Sequence, residues 1–205
     1  MLRTCVLAAF LVGAAKARAS GAETWRLDPV HTQIVLFADH LRLSSGIGRL
    51  HIREGWFRFD PDDWSSAQAE VHVDLATLDM GETKWSETVR SAQFLNVSRW
   101  PLARFVSTSL EKTGANTGVL HGDLTLRGIT KPVRLEITFN RIGRDPYAFR
   151  TKAGFSARAT LDRGDFGMNR FADVVGNLVE LRIEVEGIRD RTAAEETPDN
   201  ANQEH

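Results

Sequence analysis

Through the middle of the chain apolar and polar residues alternate with a period of two. In VLHGDLTLRG, Leu120, Gly122, Leu124 and Leu126 alternate with His121, Asp123, Thr125 and Arg127, the pattern of a strand with one dry and one wet face. PVRLEITF repeats it, with Val133, Leu135, Ile137 and Phe139 on one side and Arg134, Glu136 and Thr138 on the other. Gly128, Ile129, Thr130, Lys131 and Pro132 lie between them and predict a hairpin loop. A lone hairpin is marginal in water, so its apolar face predicts further segments curled over it.

The rest of the chain supplies them. WRLDPVHTQIVLFADHLRL predicts a short strand, a kink at Pro29, and an extended apolar run from Ile34 to Ala38. A continuous run does not say which side faces inward; its β-formers Ile34, Val35 and Phe37 make it a strand rather than a helix. Between Gly46 and Asp60 the parity switches. Leu50 and Ile52 are the apolar positions before Gly55, Phe57 and Phe59 after it, which predicts a β-bulge at or near Gly55. Alternation resumes in Ala67 to Leu75, then stops from Gly81 to Trp100, where a short helix over 82–92 and an apolar flap are expected. A connection this long in a compact domain is usually functional. Strands follow at Leu102 to Glu111, in the central hairpin, at Phe149 to Asp162 and at Leu178 to Ile188.

Eight consecutive antiparallel segments, with one short helix between the third and fourth, predict an all-β up-and-down barrel. Barrels of this size either fill with side chains or hold one small ligand. The inward set would be Phe37, Phe57, Phe59 and Val73, then Phe94 and Trp100 from the flap and Phe105 after it. Leu124, Leu126, Leu135, Ile137 and Phe139 follow from the hairpin, then Ala153, Phe155, Ala157, Ala159 and Ile183. Alanines at 69, 153, 157 and 159 opposite the phenylalanines favour a cavity over a packed core.

Composition limits what such a barrel does. Residues 1–19 read as a cleaved secretory signal, with Arg3 ahead of an uncharged run and Ala17-Arg18-Ala19 before the cut. The run is too short to span a bilayer comfortably. Residues 20–189 form the barrel domain and 190–205, DRTAAEETPDNANQEH, a disordered polar tail. The only cysteine, Cys5, lies in the signal, so no disulfide helps the core. Of 26 Lys+Arg and 27 Asp+Glu, loss of Arg3, Lys16 and Arg18 leaves 23 against 27, a net of about −4, which is no footprint for nucleic acid or for an anionic membrane surface. His31, His40, His51, His72, His121 and His205 show no i,i+2 pairing that would make a metal site on one strand. Asp165-Phe166-Gly167 lacks the companions of a kinase Mg²⁺ motif, Gly46-Ile47-Gly48 lacks the rest of a dinucleotide loop, and no G-x-S-x-G is present.

Several stretches resemble the YceI-like family of exported polyisoprenoid-binding proteins. They are Leu27-Asp28-Pro29-Val30-His31-Thr32 with Phe37 and His40-Leu41, Gly48-Arg49 with Phe59-Asp60-Pro61-Asp62-Asp63, and Arg90-Ser91 with Phe94, Pro101 and Phe105. The run from Gly122 through Arg127-Gly128 to Val133, and Arg163 with Asp165-Phe166-Gly167-Met168, complete the set. The resemblance implies a lipocalin-like barrel in the bacterial periplasm whose bore takes a long isoprenoid chain, with the helix near its mouth. It implies no catalysis; the reading it leads to is a carrier or store, with neither cofactor nor metal, for a polyisoprenoid lipid such as a quinone or polyprenyl phosphate. Where family members commonly carry His-Leu-Arg-Ser-x-Asp-Phe-Phe-Asp, this chain has Thr88-Val89-Arg90-Ser91-Ala92-Gln93-Phe94-Leu95-Asn96. The departure bears on the head group, for which His31, Arg90, Gln93 and Asn96 are the mouth candidates. A membrane quinone-linked partner and a homodimer are compatible with this reading. An accessory that presents a quinone to a redox enzyme, and a stress-induced protein with a filled barrel, are the alternatives.

Overall fold

A computed structural model describes residues 21–190; the expected signal and nearly all of the expected tail lie outside the described residues. Nine strands follow one another as β1 (Glu23–Leu27), β2 (Gln33–His40), β3 (Ser44–Phe59), β4 (Gln68–Asp79), β5 (Leu102–Lys112), β6 (Thr117–Leu126), β7 (Ile129–Arg144), β8 (Thr151–Asp162) and β9 (Val175–Arg189). The helix α1 (Thr83–Arg90) stands between β4 and β5. Every pairing is antiparallel, and β2 joins both β3 and β9, so strands β2 to β9 close into an eight-stranded meander barrel without a free edge.

The ninth strand completes one barrel position. β1 pairs with the far ends of the two strands that flank β2, through Arg26↔Trp56 and Arg26↔Ile188. β1 and β2 therefore occupy one strand position interrupted by residues 28–32. Pro29 has no N–H for a ladder, and the Asp28 carboxylate turns the chain by accepting from the Val30 N–H at 3.0 Å.

Register gives the barrel its bends. Ile52↔Val73 is followed by Glu54↔His72, so the extra residue is Arg53, two positions before Gly55. Gly55 meets a different need: a Cβ there would lie 2.7 Å from the Glu70 carbonyl oxygen. Two further bulges, at Thr108 and Asn140, follow from the β5–β6 and β7–β8 registers. The central hairpin is tighter than its Gly and Pro suggest. Leu126 pairs with Ile129, leaving a two-residue turn in which Arg127 and Gly128 both have positive φ, the type I′ geometry that matches strand twist. Pro132 therefore lies within β7, opposite Asp123.

At the barrel end where β3 finishes and β8 starts, an aromatic cluster forms the floor. Phe59 lies 5.0 Å from Phe155, 5.1 Å from Phe139 and 5.3 Å from Trp64 between ring centroids, and Trp25 stacks on Phe57 at 6.1 Å. Small residues make room for these rings. A Cβ on Gly187 would come 2.9 Å from the Trp25 Cβ and nearer still to the Phe57 ring, and Ala153, paired with Gly187, is fully buried.

Candidate functional site

Above the floor the inward faces of the strands surround a cavity of about 550 Å³, inside the range of small-molecule sites. Alternation dictates its wall. Ile34, Leu36 and Ala38 of β2 face it, with Val71 and Val73 of β4, Leu124 and Leu126 of β6, and Ala157 and Ala159 of β8. Polar groups on the wall are few, among them Thr32, Thr88, Asp39, His40 and Arg163. On the β3–β4 side the lining extends to Trp56, Arg58 and Gln68.

The mouth lies at the opposite end from the floor and is covered by segments without strand periodicity. Helix α1 is capped by Glu82, whose side chain accepts from the Trp85 N–H at 2.8 Å. Ser86 Oγ accepts from the Met80 N–H at 2.9 Å, holding the helix to the end of β4. Trp85, Thr88 and Val89 thereby border the cavity, and Phe94 and Leu95 of the flap follow them. On the other side a 3₁₀ turn, Arg163–Phe166, leads into the loop 167–174. Arg163 is 3% exposed and donates to carbonyls of Gly176 (3.0 Å), Arg170 (2.9 Å), Val175 (2.8 Å) and Met168. Burial pushes its pKa below the ordinary arginine value, with Asp162 offsetting part of the shift; a guanidinium has ample margin to stay charged.

Thirteen of the seventeen lining candidates border the cavity: Phe57, Phe59, Val73, Phe94, Phe105, Leu124, Leu126, Leu135, Ile137, Phe155, Ala157, Ala159 and Ile183. The other four lie elsewhere. Phe37 is on the outer face of β2, under the Arg182 guanidinium at 4.7 Å. Phe139 and Ala153 belong to the floor. Trp100 sits outside, against the Gly128 turn and beneath Arg99. None of the four head-group candidates borders the cavity either. Arg90 ties α1 to β4, donating to the Ala76 carbonyl at 3.0 Å. Gln93 is exposed, and Asn96 is a left-handed residue whose carbonyl accepts from Arg99 and Trp100.

His31 is at the floor end, not the mouth. Its Nδ1 lies 2.8 Å from Asp28 Oδ2, beside Glu186, and these three residues are close enough to share a cation. The chain supplies that cation itself. Lys152 Nζ stands 3.1 Å from Asp28, 2.9 Å from Glu186 and 3.5 Å from Asp145, so the donor set reads as an internal ion cluster rather than a metal centre. Burial alone would raise the Asp28 pKa, but hydrogen bonds from His31, Lys152 and the Val30 N–H outweigh it and hold it at about 2. Burial would lower Lys152; its bonds to Glu186 and Asp28 raise it instead.

Residues at the mouth that periodicity misses are His40, Met80, Trp85, Arg163, Phe166, Met168 and Phe171. His40 shares the even parity of Ile34, Leu36 and Ala38, and Arg163, Phe166 and Met168 stand in a stretch that carries the family resemblance. Met80 and Phe171 come from loops, where no period exists to read, and Trp85 from the eight-residue helix α1.

A closed eight-stranded meander with one apolar cavity, an aromatic floor and a helix over the mouth defines a lipocalin-like binding barrel. The chain belongs to the YceI-like family, whose domain model matches residues 25–187. A UPF0312 protein of Pseudomonas putida strain W619 is 36% identical over 152 residues, covering 74% of this chain and 78% of its own. Among solved structures, Burkholderia cenocepacia BcnA superposes with a TM-score of 0.69 at 18% identity, covering 78% of this chain and 98% of its own. A domain from Saccharophagus degradans, described as polyisoprenoid binding and implicated in plant cell wall breakdown, gives 0.59 at 9% identity, with 81% and 98% covered. At those identities the two structures speak for the fold alone.

Proposed function

We propose that this protein is an exported, periplasmic carrier or store for a polyisoprenoid lipid, a quinone or polyprenyl phosphate, whose tail occupies the barrel cavity. The observation that carries the reading is the cavity of about 550 Å³ with its almost wholly apolar wall. Each methylene moved from water into such a wall gains about 0.8 kcal/mol, so a few isoprene units outweigh the cost of ordering the tail. Family membership and the polyisoprenoid-binding description of the Saccharophagus degradans domain point the same way. Among the described residues, the cluster of Asp28, His31, Lys152 and Glu186 lies away from the cavity, whose titratable lining residues are Asp39, His40, Arg58 and Arg163. A filled barrel is disfavoured by the same volume.

The test is to purify the protein from a bacterial host, extract it with solvent and identify the extract by mass spectrometry. An isoprenoid at near-stoichiometric amount is expected. A lipid-free protein that also takes up no added isoprenoid would end the proposal.

A further inference from the structure

We infer that the rim of the cavity mouth is a docking surface for a bilayer containing anionic phospholipid. The inference extends the lipid-carrier reading and rests on it for its purpose, though the surface is defined by its own residues.

The tip of the β2–β3 hairpin is Leu41-Arg42-Leu43, with Leu43 83% exposed. Leu41 and Arg42 have φ near +57° and +56°, an arrangement costly for side chains with a Cβ, and it is held in place: the Leu41 N–H donates to the Val174 carbonyl at 2.8 Å and the Arg42 N–H to Asp39 at 3.2 Å. The adjoining loop 167–174 presents Arg170 and Phe171, the latter 44% exposed and also at positive φ. Arg163, buried beneath, clamps that loop through the Met168, Arg170 and Val175 carbonyls. The apolar tip residues are therefore displayed by a fixed rim. Ile47 and Leu178 extend the surface down the outer wall.

Two features commit the occupant to a lipid surface. Apolar surface runs from outside to inside without a polar break, because Trp85 and Phe171 are both partly exposed and both border the cavity. A tail leaving a bilayer through this mouth would not have to cross water, where every methylene opposes the step. The charge on the rim segments 41–43, 127–128 and 167–174 is also the reverse of the chain's acidic balance, with Arg42, Arg127 and Arg170 against Asp173. None of these three arginines has a carboxylate of the described residues within ion-pair distance; Arg42 and Arg170 are exposed, whereas the half-buried Arg127 donates to the Gly167 carbonyl at 3.0 Å and braces the loop. Exposed apolar patches of this kind mark interaction sites, and exposed basic residues such as Arg42 and Arg170 favour anionic headgroups.

Exposed aromatics also occur beside the floor, at Tyr147 and Phe149, and they provide the control. The purified protein is sedimented with vesicles of phosphatidylethanolamine and phosphatidylglycerol, and farnesol uptake is measured separately without vesicles. Wild type is expected to partition to the vesicles, less so as salt rises. Leu43→Asp and Phe171→Asp should each lower the partition by about tenfold, with folding and, for Leu43→Asp, farnesol uptake unchanged. Tyr147→Asp should partition as wild type does. The inference is overturned if wild type stays in the supernatant, if Tyr147→Asp or Phe149→Asp loses binding while the rim variants keep it, or if the rim variants alter only the mass in light scattering, which would make this face a contact between copies. Farnesol uptake without partition removes the docking surface and leaves the carrier; partition without uptake does the opposite.

Discussion

Ala157 shows how much a single position decides. It lies between Ile137 and Ile183 in the ladder and borders the cavity, whereas Ala153, four residues earlier on the same strand and the same face, is buried under the floor rings. The alternation in Phe149–Asp162 is readable from the sequence and places both alanines inward. It does not say where along the strand the aromatic floor ends and the cavity begins, since that depends on rings contributed by β1, β3 and β7. Ala157→Phe should accordingly lower isoprenoid uptake severalfold, with a stability change within about 1–3 kcal/mol from overpacking. Equilibrium binding of a fluorescent isoprenoid and urea denaturation measure the two effects. Unchanged uptake would mean that the ligand does not reach this level of the bore.

Between residue and fold stand the elements, and the β1–β2 junction carries the strongest electrostatics among them. Asp28 joins it to β8 and β9 through Lys152 and shares that lysine with Glu186. With its pKa lowered from 3.8 to about 2, Asp28 is a carboxylate that the folded state stabilises. Its contribution of about 2 kcal/mol is present above the unfolded pKa near 4 and is lost as pH falls through about 2. The raised pKa of Lys152 works in the opposite direction: its contribution is complete below the ordinary lysine value and is lost above it. Asp28→Asn should cost about 2 kcal/mol at neutral pH and flatten the stability curve between pH 4 and 2. Urea midpoints across that window measure it; a variant curve parallel to wild type would place the acid sensitivity in other carboxylates. The Pro29 kink was legible in the sequence, but the cluster was not, because Asp28 and Lys152 are 124 residues apart and only the closed ladder brings them together. The two apolar sides of Ile34–Ala38 were equally ambiguous: Leu36 faces the cavity and Phe37 the exterior, so hydrophobicity carried no direction there.

For the whole molecule, strand periodicity carried the barrel and most of its wall, because on a closed sheet the inward parity of each strand is the cavity wall. At the mouth the break in alternation made the helix and the flap with Phe94 legible, but not the contacts that place them. Helix α1, the flap and the Arg163 loop owe their positions to caps, carbonyl clamps and contacts such as Phe94 stacked on Phe171, none of which leaves a period. If the cavity is where an isoprenoid binds, wall and mouth must respond to it together. A ligand that binds only the folded barrel stabilises it by about 2.7 kcal/mol when its concentration is a hundred times Kd. For a domain of this size that corresponds to a Tm rise of roughly 5–10 °C. Delipidated protein should therefore melt lower than protein reloaded with farnesol or a short-chain quinone, and the gain should follow the logarithm of ligand concentration. Calorimetry on Ala157→Phe separates this from a general solvent effect: measured from the variant's own ligand-free Tm, which overpacking shifts by up to about 10 °C, the rise should be smaller by about a third, because a severalfold weaker Kd removes about 1 kcal/mol of the ligand's contribution. A rise of equal size in both proteins would mean that the lipid stabilises the chain from outside the barrel, and a Tm indifferent to saturating isoprenoid would leave the apolar cavity without the ligand proposed for it.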